Sequence, residues 1–134
     1  MKIARDSGED VAKAVADGLT AFNRKIVGDF QSVPVNVSVR DDDGKIVGGV
    51  VGNVSFDTLY ISLVWLDDTL HGQGAGRQMM ELAEAEGRAL GAVRSWLYTL
   101  SWQARPFYEQ LGYKLFGEMP FAGEHRRYFL MKDL

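Results

Sequence analysis

Residues 59–90 decide the fold, and they read LYISLVWL (59–66), DDTL (67–70), HGQGAGR (71–77) and QMMELAEAEGRAL (78–90). The first eight are apolar almost throughout, which predicts a central strand covered on both faces. The glycine-rich segment then leads into residues 75–90, whose apolar side chains recur at helical spacing. The sequence therefore predicts a buried strand, a glycine-rich turn and a helix that begins within the turn.

Helices and strands on either side of this stretch are predicted from apolar periodicity and turn residues. The predicted helices span residues 9–27 and 102–111, the second capped by Ser101, and the predicted strands span 35–39, 46–56, 93–100, 113–119 and 127–131. Gly48, Gly49 and Gly52 in the second of these strands indicate a bulge or a close backbone approach. This order of elements predicts an α/β (α+β) fold with a mixed, mostly antiparallel sheet and flanking helices, in a single domain over residues 1–134.

Composition narrows the classes of function. The chain has 134 residues, a formal net charge of −3 and no cysteine. The charge gives no basic footprint for nucleic acid, and the lack of cysteine excludes a disulfide framework, a thiol nucleophile and a cysteine-bound metal. The sequence has no run of 18 apolar residues and no signal-peptide pattern. We therefore expect a cytoplasmic protein with no membrane partner, no nucleic-acid partner and no metal.

The glycine-rich turn has the chemistry of an anion site. The first N–H groups of a helix have no intrahelical partner and carry partial positive charge. Gly72, Gly74 and Gly76 allow the backbone to approach a diphosphate closely, and Arg77 can pair with a phosphate oxygen. The spacing fits neither a P-loop, which needs Lys-Ser/Thr, nor the dinucleotide motif G-x-G-x-x-G. A tight turn that needs positive φ and binds no ligand is the alternative interpretation.

The segment HGQGAGR (71–77) resembles motif A of the GNAT acetyltransferase superfamily, Q/R-x-x-G-x-G/A. His71 stands where that family usually has Arg or Gln. The resemblance implies a GNAT fold in which two strands, here those ending near Leu66 and Leu100, splay apart around acetyl-coenzyme A. It also implies that the backbone N–H of Leu66 polarises the thioester carbonyl. The implied cofactor-binding residues of this stretch are Val64, Trp65, Leu66, His71, Gly72, Gln73, Gly74, Ala75, Gly76 and Arg77.

Residues 101–113, SWQARPFYEQLGY, resemble motif B of the same superfamily, N-x-x-A-x-x-F-Y-E-K-L-G-F. The resemblance implies that Ser101, which replaces the usual Asn, contacts acetyl-coenzyme A together with Ala104, Phe107 and Tyr108. It also places Tyr108 beside the sulfur, where the phenol is the general acid that protonates the leaving thiolate. On periodicity alone, a core aromatic residue packed beside Phe107 is the favoured interpretation of Tyr108.

An amine must be neutral to attack a thioester, so a general base is expected to face the cleft. Asp67 and Asp68 follow the predicted central strand, and Glu124 and His125 lie in the loop before the last strand. Asp67 is a candidate base. His125 is a candidate base or acceptor contact, because an unperturbed imidazole titrates near neutrality and this loop often flanks the acceptor in the superfamily. Solvated surface side chains are the alternative interpretation of each.

These features predict an N-acetyltransferase that moves an acetyl group from acetyl-coenzyme A directly to a primary amine of a small molecule. No covalent enzyme intermediate is expected, because there is no cysteine and no Ser/His/acid set is apparent. A non-catalytic acyl-coenzyme A binding or sensing domain and a protein N-acetyltransferase are the alternatives. A homodimer through the C-terminal strands is a further hypothesis.

Overall fold

The computed structural model describes all 134 residues and contains the predicted elements in the predicted order. The chain forms two compact units, Met1–Gln31 and Ser32–Leu134, and a single domain over residues 1–134 stays a prediction. The first unit holds α1 (Glu9–Val27), and the second holds β1 (Ser32–Arg40), β2 (Ile46–Ser55), β3 (Thr58–Leu66), a 3-10 turn (Asp68–Leu70), α2 (Ala75–Ala89), β4 (Arg94–Leu100), α3 (Arg105–Gln110), β5 (Lys114–Pro120) and β6 (Arg126–Asp133). None of the helices is both long and apolar enough to cross a lipid bilayer.

The helix of the first unit has the bounds that the sequence predicts. Its first turn carries Glu9, and its last turn carries Arg24 and Lys25, which is the order of charges that the helix dipole favours. Gly28 ends the helix with φ of 78° and donates its N–H to the Arg24 carbonyl at 3.0 Å. The predicted apolar stripe is present and more than half exposed at each of Val15, Leu19, Phe22 and Ile26.

The second unit is built on a six-stranded sheet in the order β1-β2-β3-β4-β6-β5. All neighbouring strands are antiparallel except β3 and β4, so the predicted mixed, mostly antiparallel sheet is confirmed. β3 and β4 are parallel and pair only between residues 58–60 and residues 94–96. Beyond these residues the two strands share no backbone pairing, and a cleft opens between their carboxyl-terminal halves.

A β-bulge at Ser62 of β3, opposite Gly52 of β2, changes which side chains of β3 enter the core. Residues 51–52 of β2 pair with Leu63 and Ile61, so Ser62 is the extra residue. Ile61 is 3% exposed, whereas Leu63 is 65% and Trp65 is 54% exposed. The prediction that this strand is covered on both faces is therefore wrong for its second half, because that half borders the cleft.

The core lies between α2 and one face of the sheet. The buried side of α2 carries Met79, Met80 and Ala83, and these side chains join one cluster with Leu59 of β3 and Leu97 of β4. The approach between helix and strand is close, since a Cβ at Gly87 of α2 would stand 3.0 Å from a Leu59 methyl group. This packing fixes α2, and with it the glycine-rich turn, against the ends of the central strands.

A buried polar network joins α2 to β4, to β6 and to the residue that precedes β5. Glu84 is only 2% exposed, and its carboxylate lies 2.9 Å from the Tyr113 hydroxyl and 2.8 Å from the Lys132 ammonium. The Tyr113 hydroxyl is also 2.9 Å from the Ser95 hydroxyl. A carboxylate only accepts, so Tyr113 donates to Glu84 and accepts from Ser95. Burial raises the pKa of Tyr113 and keeps its phenol protonated.

The helix α3 begins three residues later than predicted, and the predicted cap at Ser101 is wrong. The Ser101 Oγ instead accepts the N–H of Arg126 at 3.0 Å and lies 3.1 Å from Nδ1 of His125. A turn closed by the N–H of Gln103, which donates to the last carbonyl of β4 at 2.8 Å, occupies the intervening residues. The helix therefore starts only at Arg105, and Ser101 ties the end of β4 to the start of β6.

Candidate active site

The cleft between the diverging halves of β3 and β4 is a cavity of about 820 Å³, which is within the range of small-molecule sites. It is bounded by β3, by β4 and α3, and by the start of α2. The predicted contacts that line it are Val64, Trp65, Leu66, His71, Gly72, Gly74, Gly76, Arg77, Ala104, Phe107 and Tyr108. Gln73, Ala75 and Ser101 were also predicted as contacts, and their side chains do not line it. The fold thus brings both motifs to one cavity.

The end of β3 presents free backbone groups to this cleft. Asp67 donates its N–H to Val47 of β2 at 2.8 Å, so the N–H and C=O of the preceding residue, Leu66, point away from β2. The Leu66 carbonyl indeed lies on that side, 3.0 Å from Nε2 of His71. Because β3 and β4 pair only as far as Tyr60, no strand occupies the Leu66 N–H. This amide is the one that the resemblance assigns to the thioester carbonyl.

The glycine-rich turn holds a run of unpaired N–H groups. Gly72 and Gly74 adopt φ of 78° and 81°, and the first helical hydrogen bond of α2 runs from Gln78 to the Gly74 carbonyl at 3.1 Å. The six N–H groups of residues 72–77 have no acceptor within the chain. Left-handed residues that lead into a helix N-terminus make a concave array of donors with partial positive charge. The turn therefore has the arrangement of donors that an anion site requires, at the end of the cleft.

Side chains of the turn stabilise its shape. His71 reaches back to the end of β3, and Gln73 donates its side-chain N–H to the Thr69 carbonyl at 3.2 Å. Arg77, predicted to contact a phosphate, lies 3.6 Å from the Glu81 carboxylate, with both side chains about half exposed. An exposed pair of this kind stabilises a helix little, so Arg77 can exchange Glu81 for a ligand anion at small cost.

Gly76 connects the two motifs. A Cβ at this position would stand 3.1 and 3.2 Å from two ring carbons of Phe107, which is tighter than most real contacts. The absence of a side chain therefore lets α3 pack against the start of α2. Phe107 in turn lies edge-on to Tyr108, with ring centroids 5.1 Å apart. Because Tyr108 follows Phe107 in α3, this packing also contributes to the position of Tyr108.

Tyr108 is buried at 8% exposure and lines the cleft. Its hydroxyl makes no hydrogen bond within the protein, and the hydroxyl oxygen is accessible from the cleft. Burial raises the pKa of Tyr108 to about 12, so the phenol keeps its proton throughout the physiological range. A protonated hydroxyl that faces the cleft without a protein partner can donate to a ligand atom there.

The two predicted bases differ in their surroundings. Asp67 caps the 3-10 turn, and its Oδ1 accepts the N–H of Thr69 at 3.0 Å and the Thr69 hydroxyl at 2.7 Å. The hydrogen bond from the Thr69 hydroxyl lowers the pKa of Asp67, which weakens it as a base. His125 lies with its ring edge-on to Trp102 at 4.7 Å and accepts from Ser101 at Nδ1 or donates to it.

Some lining residues were missed from sequence, and Tyr98, Gln103 and Leu63 are the main ones. Gln103 accepts the N–H at the end of β4 with its side-chain oxygen at 2.9 Å, so it holds the cleft wall in place. Tyr98 and Leu63 are exposed apolar side chains that face the cleft on β4 and β3. The alternation of β4 could have indicated Tyr98, since its neighbour Leu97 is a core residue.

Residues 16–113 match the Acetyltransferase (GNAT) family, and this span contains both motifs and the cleft between β3 and β4. The chain belongs to the Acetyltransferase (GNAT) family. The predicted family, fold and enzyme class are therefore confirmed: this GNAT protein is an acetyltransferase whose acyl donor is acetyl-coenzyme A. No group of three or more His, Cys, Asp or Glu side chains is arranged to hold a metal ion.

Related proteins align with more than half of the length of this GNAT acetyltransferase. The acetyltransferase Atu2258 of Agrobacterium fabrum is 29% identical over 110 residues, which are 82% of this chain and 80% of the relative. The blasticidin-S acetyltransferase of Streptomyces morookaense is 36% identical over 78 residues, which are 58% of this chain and 57% of the relative. A crystal structure of an acetyltransferase from Bacillus cereus superposes with a TM-score of 0.87 at 26% identity, and covers 99% of this chain and 98% of that one.

Proposed function

We propose that this GNAT acetyltransferase moves the acetyl group of acetyl-coenzyme A directly to a primary amine of a small molecule, with Tyr108 as the general acid. One observation carries the proposal. A single cleft is lined by Gly72, Gly74, Gly76 and Arg77, whose N–H groups have no acceptor in the chain, and by Tyr108, whose hydroxyl has no protein partner. The N–H groups suit a diphosphate, and the phenol suits a leaving thiolate.

The backbone of the cleft is suited to the donor along its length. The N–H groups of residues 72–77 would hold the diphosphate at the helix N-terminus, where the dipole favours negative charge. The amide groups of Val64 and Leu66 point to the same side of β3, because strand geometry repeats every second residue. Val64 would pair with the amides of the pantetheine arm, and the Leu66 N–H would polarise the thioester carbonyl.

The chemistry assigned to the site is a direct acyl transfer. The amine nitrogen bonds to the thioester carbon, and the Leu66 N–H stabilises the charge that develops on the carbonyl oxygen. The C–S bond then breaks, and the hydroxyl of Tyr108 gives its proton to the departing thiolate. The amine loses a proton to the base, and solvent returns a proton to Tyr108. No bond forms between the acetyl group and the protein.

We propose His125 as the better of the two bases. Its Nδ1 lies 3.1 Å from the Ser101 hydroxyl, and neither residue lines the cleft, so a proton from the acceptor would reach the imidazole through water. Asp67 has a lowered pKa and already caps a turn. A carboxylate with a depressed pKa that already accepts two hydrogen bonds is a weak general base.

The acceptor is proposed to be a small molecule. The exposed side of the cleft carries Leu63, Trp65 and Tyr98, which offer apolar contact area for a compact ligand. The blasticidin-S acetyltransferase, which is 36% identical over 78 residues, is named for a small-molecule acceptor and supports this class. The homodimer through the C-terminal strands and the cytoplasmic location stay predictions.

The test of donor binding uses calorimetric titration of coenzyme A into Gly74→Val. A β-branched residue at φ of 81° costs on the order of 1–3 kcal/mol, which the turn relieves by leaving the left-handed region. The array of N–H groups then loses its shape, so we expect the dissociation constant to rise by about tenfold or more.

The matched control for this experiment is Gly44→Val. Gly44 lies in the hairpin turn between β1 and β2 with φ of 82° and open space around its missing Cβ, as at Gly74. The strain is the same and the site is remote from the cleft, so this variant is expected to bind coenzyme A as the wild type does. Equal affinity of both variants would contradict the placement of the diphosphate at the turn.

A further inference from the structure

Arg127, at the start of β6, differs from the other part-buried arginines. The side chains of Arg94, Arg105 and Arg126 pair with carboxylates at 2.8, 3.1 and 3.1 Å. Arg127 makes no ion pair and no hydrogen bond, and its Nε, like that of Arg126, is sealed from solvent without an acceptor. A buried N–H without an acceptor costs free energy, and this arginine has no anionic partner in the chain.

Two aromatic rings hold this guanidinium in place. Its Cζ lies 4.6 Å from the ring centre of Tyr98 and 4.4 Å from that of Phe121. Trp102 stacks on Phe121 with centroids 6.0 Å apart, and His125 packs on the edge of Trp102. Stacking on ring faces leaves the planar edge of the guanidinium available for hydrogen bonds.

The Arg127 guanidinium does not line the cavity itself and lies next to the wall that β4 contributes. Tyr98, which it stacks on, lines the cavity, and so does Leu100, which is the register partner of Arg127 across β4 and β6. Only Nε is sealed, so the terminal nitrogens of the guanidinium are accessible. The acids near this end of the fold do not neutralise it, since Glu118 pairs with Arg126 and Glu124 is exposed and makes no ion pair.

We propose that Arg127 binds a carboxylate of the acceptor, so that the substrate is an amine that also carries a carboxylate group. This inference rests on the proposed function, since it names the chemical class of the same acceptor. A carboxylate matches the fork of the guanidinium with two parallel hydrogen bonds. The rings of Tyr98, Phe121 and Trp102 would contact the apolar part of the same molecule.

The experiment compares matched amine pairs that differ by one carboxylate, phenylalanine with phenethylamine and tryptophan with tryptamine. The release of free thiol from acetyl-coenzyme A gives kcat/KM for each. We expect the wild type to favour the carboxylated member by about ten- to a hundredfold, mainly in KM, because hydrogen bonds between charged groups are strong. In Arg127→Met, which keeps an apolar stem between the rings, we expect this ratio to fall to about one.

The control variant is Arg88→Met, which removes an equal charge from an exposed arginine in the last turn of α2. It is expected to keep the wild-type ratio. Equal rates on both members of each pair in the wild type, or a ratio that survives in Arg127→Met, would overturn the carboxylate subsite. A lower melting temperature in Arg127→Met with an unchanged ratio would assign Arg127 a purely structural role.

A second readout separates this inference from the proposed function. The Nε–H resonance of Arg127 is followed by NMR while N-acetylphenylalanine or N-acetylphenethylamine is added to the protein with coenzyme A bound. We expect a shift with the carboxylated compound and none with the neutral one. If no amine is acetylated but this shift occurs, the panel of acceptors fails and the subsite stands. If amines are acetylated and neither compound shifts the resonance, the subsite fails and the proposed function stands.

Discussion

Replacing Tyr108 by Phe is expected to lower kcat by about 10²- to 10⁴-fold, the usual contribution of a positioned general acid. The substitution removes one oxygen that makes no hydrogen bond with the protein. The fold and the ring contacts with Phe107 and Tyr113 should therefore persist. Coenzyme A affinity should therefore change less than about twofold, because the donors of residues 72–77 are untouched. Steady-state thiol release and calorimetric titration measure the two effects separately.

The control for this prediction is Tyr60→Phe. Tyr60 lies on β3 before the cleft opens and stacks on Trp96 at 4.4 Å, so its hydroxyl is not a lining group of the cavity. This variant should keep the wild-type kcat.

Because the pKa of Tyr108 is raised to about 12, loss of its proton cannot limit the rate at neutral pH. A Tyr108→Phe protein with full kcat would show that the thiolate leaves without help from this phenol.

Replacing Glu84 by Ala is expected to destabilise the fold by about 3–5 kcal/mol, the usual cost of breaking a buried ion pair by removing one partner. The change leaves the Lys132 ammonium without its carboxylate and deprives the Tyr113 hydroxyl of its acceptor. Urea unfolding followed by circular dichroism measures the loss. The midpoint should fall with little change in the slope, because the surface exposed on unfolding stays nearly the same.

Glu81→Ala is the matched control on the same helix. Glu81 lies 3.6 Å from Arg77, and both side chains are about half exposed. Exposed pairs of this kind contribute about 0–1 kcal/mol, so the loss in stability should be several times smaller than at Glu84. Similar losses at both positions would mean that the buried network around Tyr113 does not hold α2 to the sheet.

The order of elements could be predicted because it follows from local patterns, whereas the place of the cleft was implied only by the resemblance to the GNAT superfamily. Alternation and helical spacing predicted every strand and helix. The positive φ of Gly74 follows from the turn that precedes a helix start. These features depend on residues close together in the chain, which is where sequence patterns are most informative.

Features that depend on distant residues could not be predicted. The exposure of Leu63 and Trp65 arises because the bulge at Ser62 shifts the strand register, which an apolar run cannot reveal. Ser101 is drawn from its capping role by Arg126, 25 residues later in the chain. Arg127 looks like any surface charge in sequence, and only the packing of two rings from different elements shows that it lacks an anionic partner.

The most direct test of donor binding at the glycine turn is an amide NMR titration with coenzyme A. We predict that the N–H resonances of residues 72–77 move downfield as the diphosphate binds, since these six groups have no acceptor in the free protein. Gly44 and Gly91 also have positive φ but lie in turns outside the cleft, so their resonances should stay fixed. Saturating coenzyme A that leaves the resonances of residues 72–77 unmoved would contradict the account.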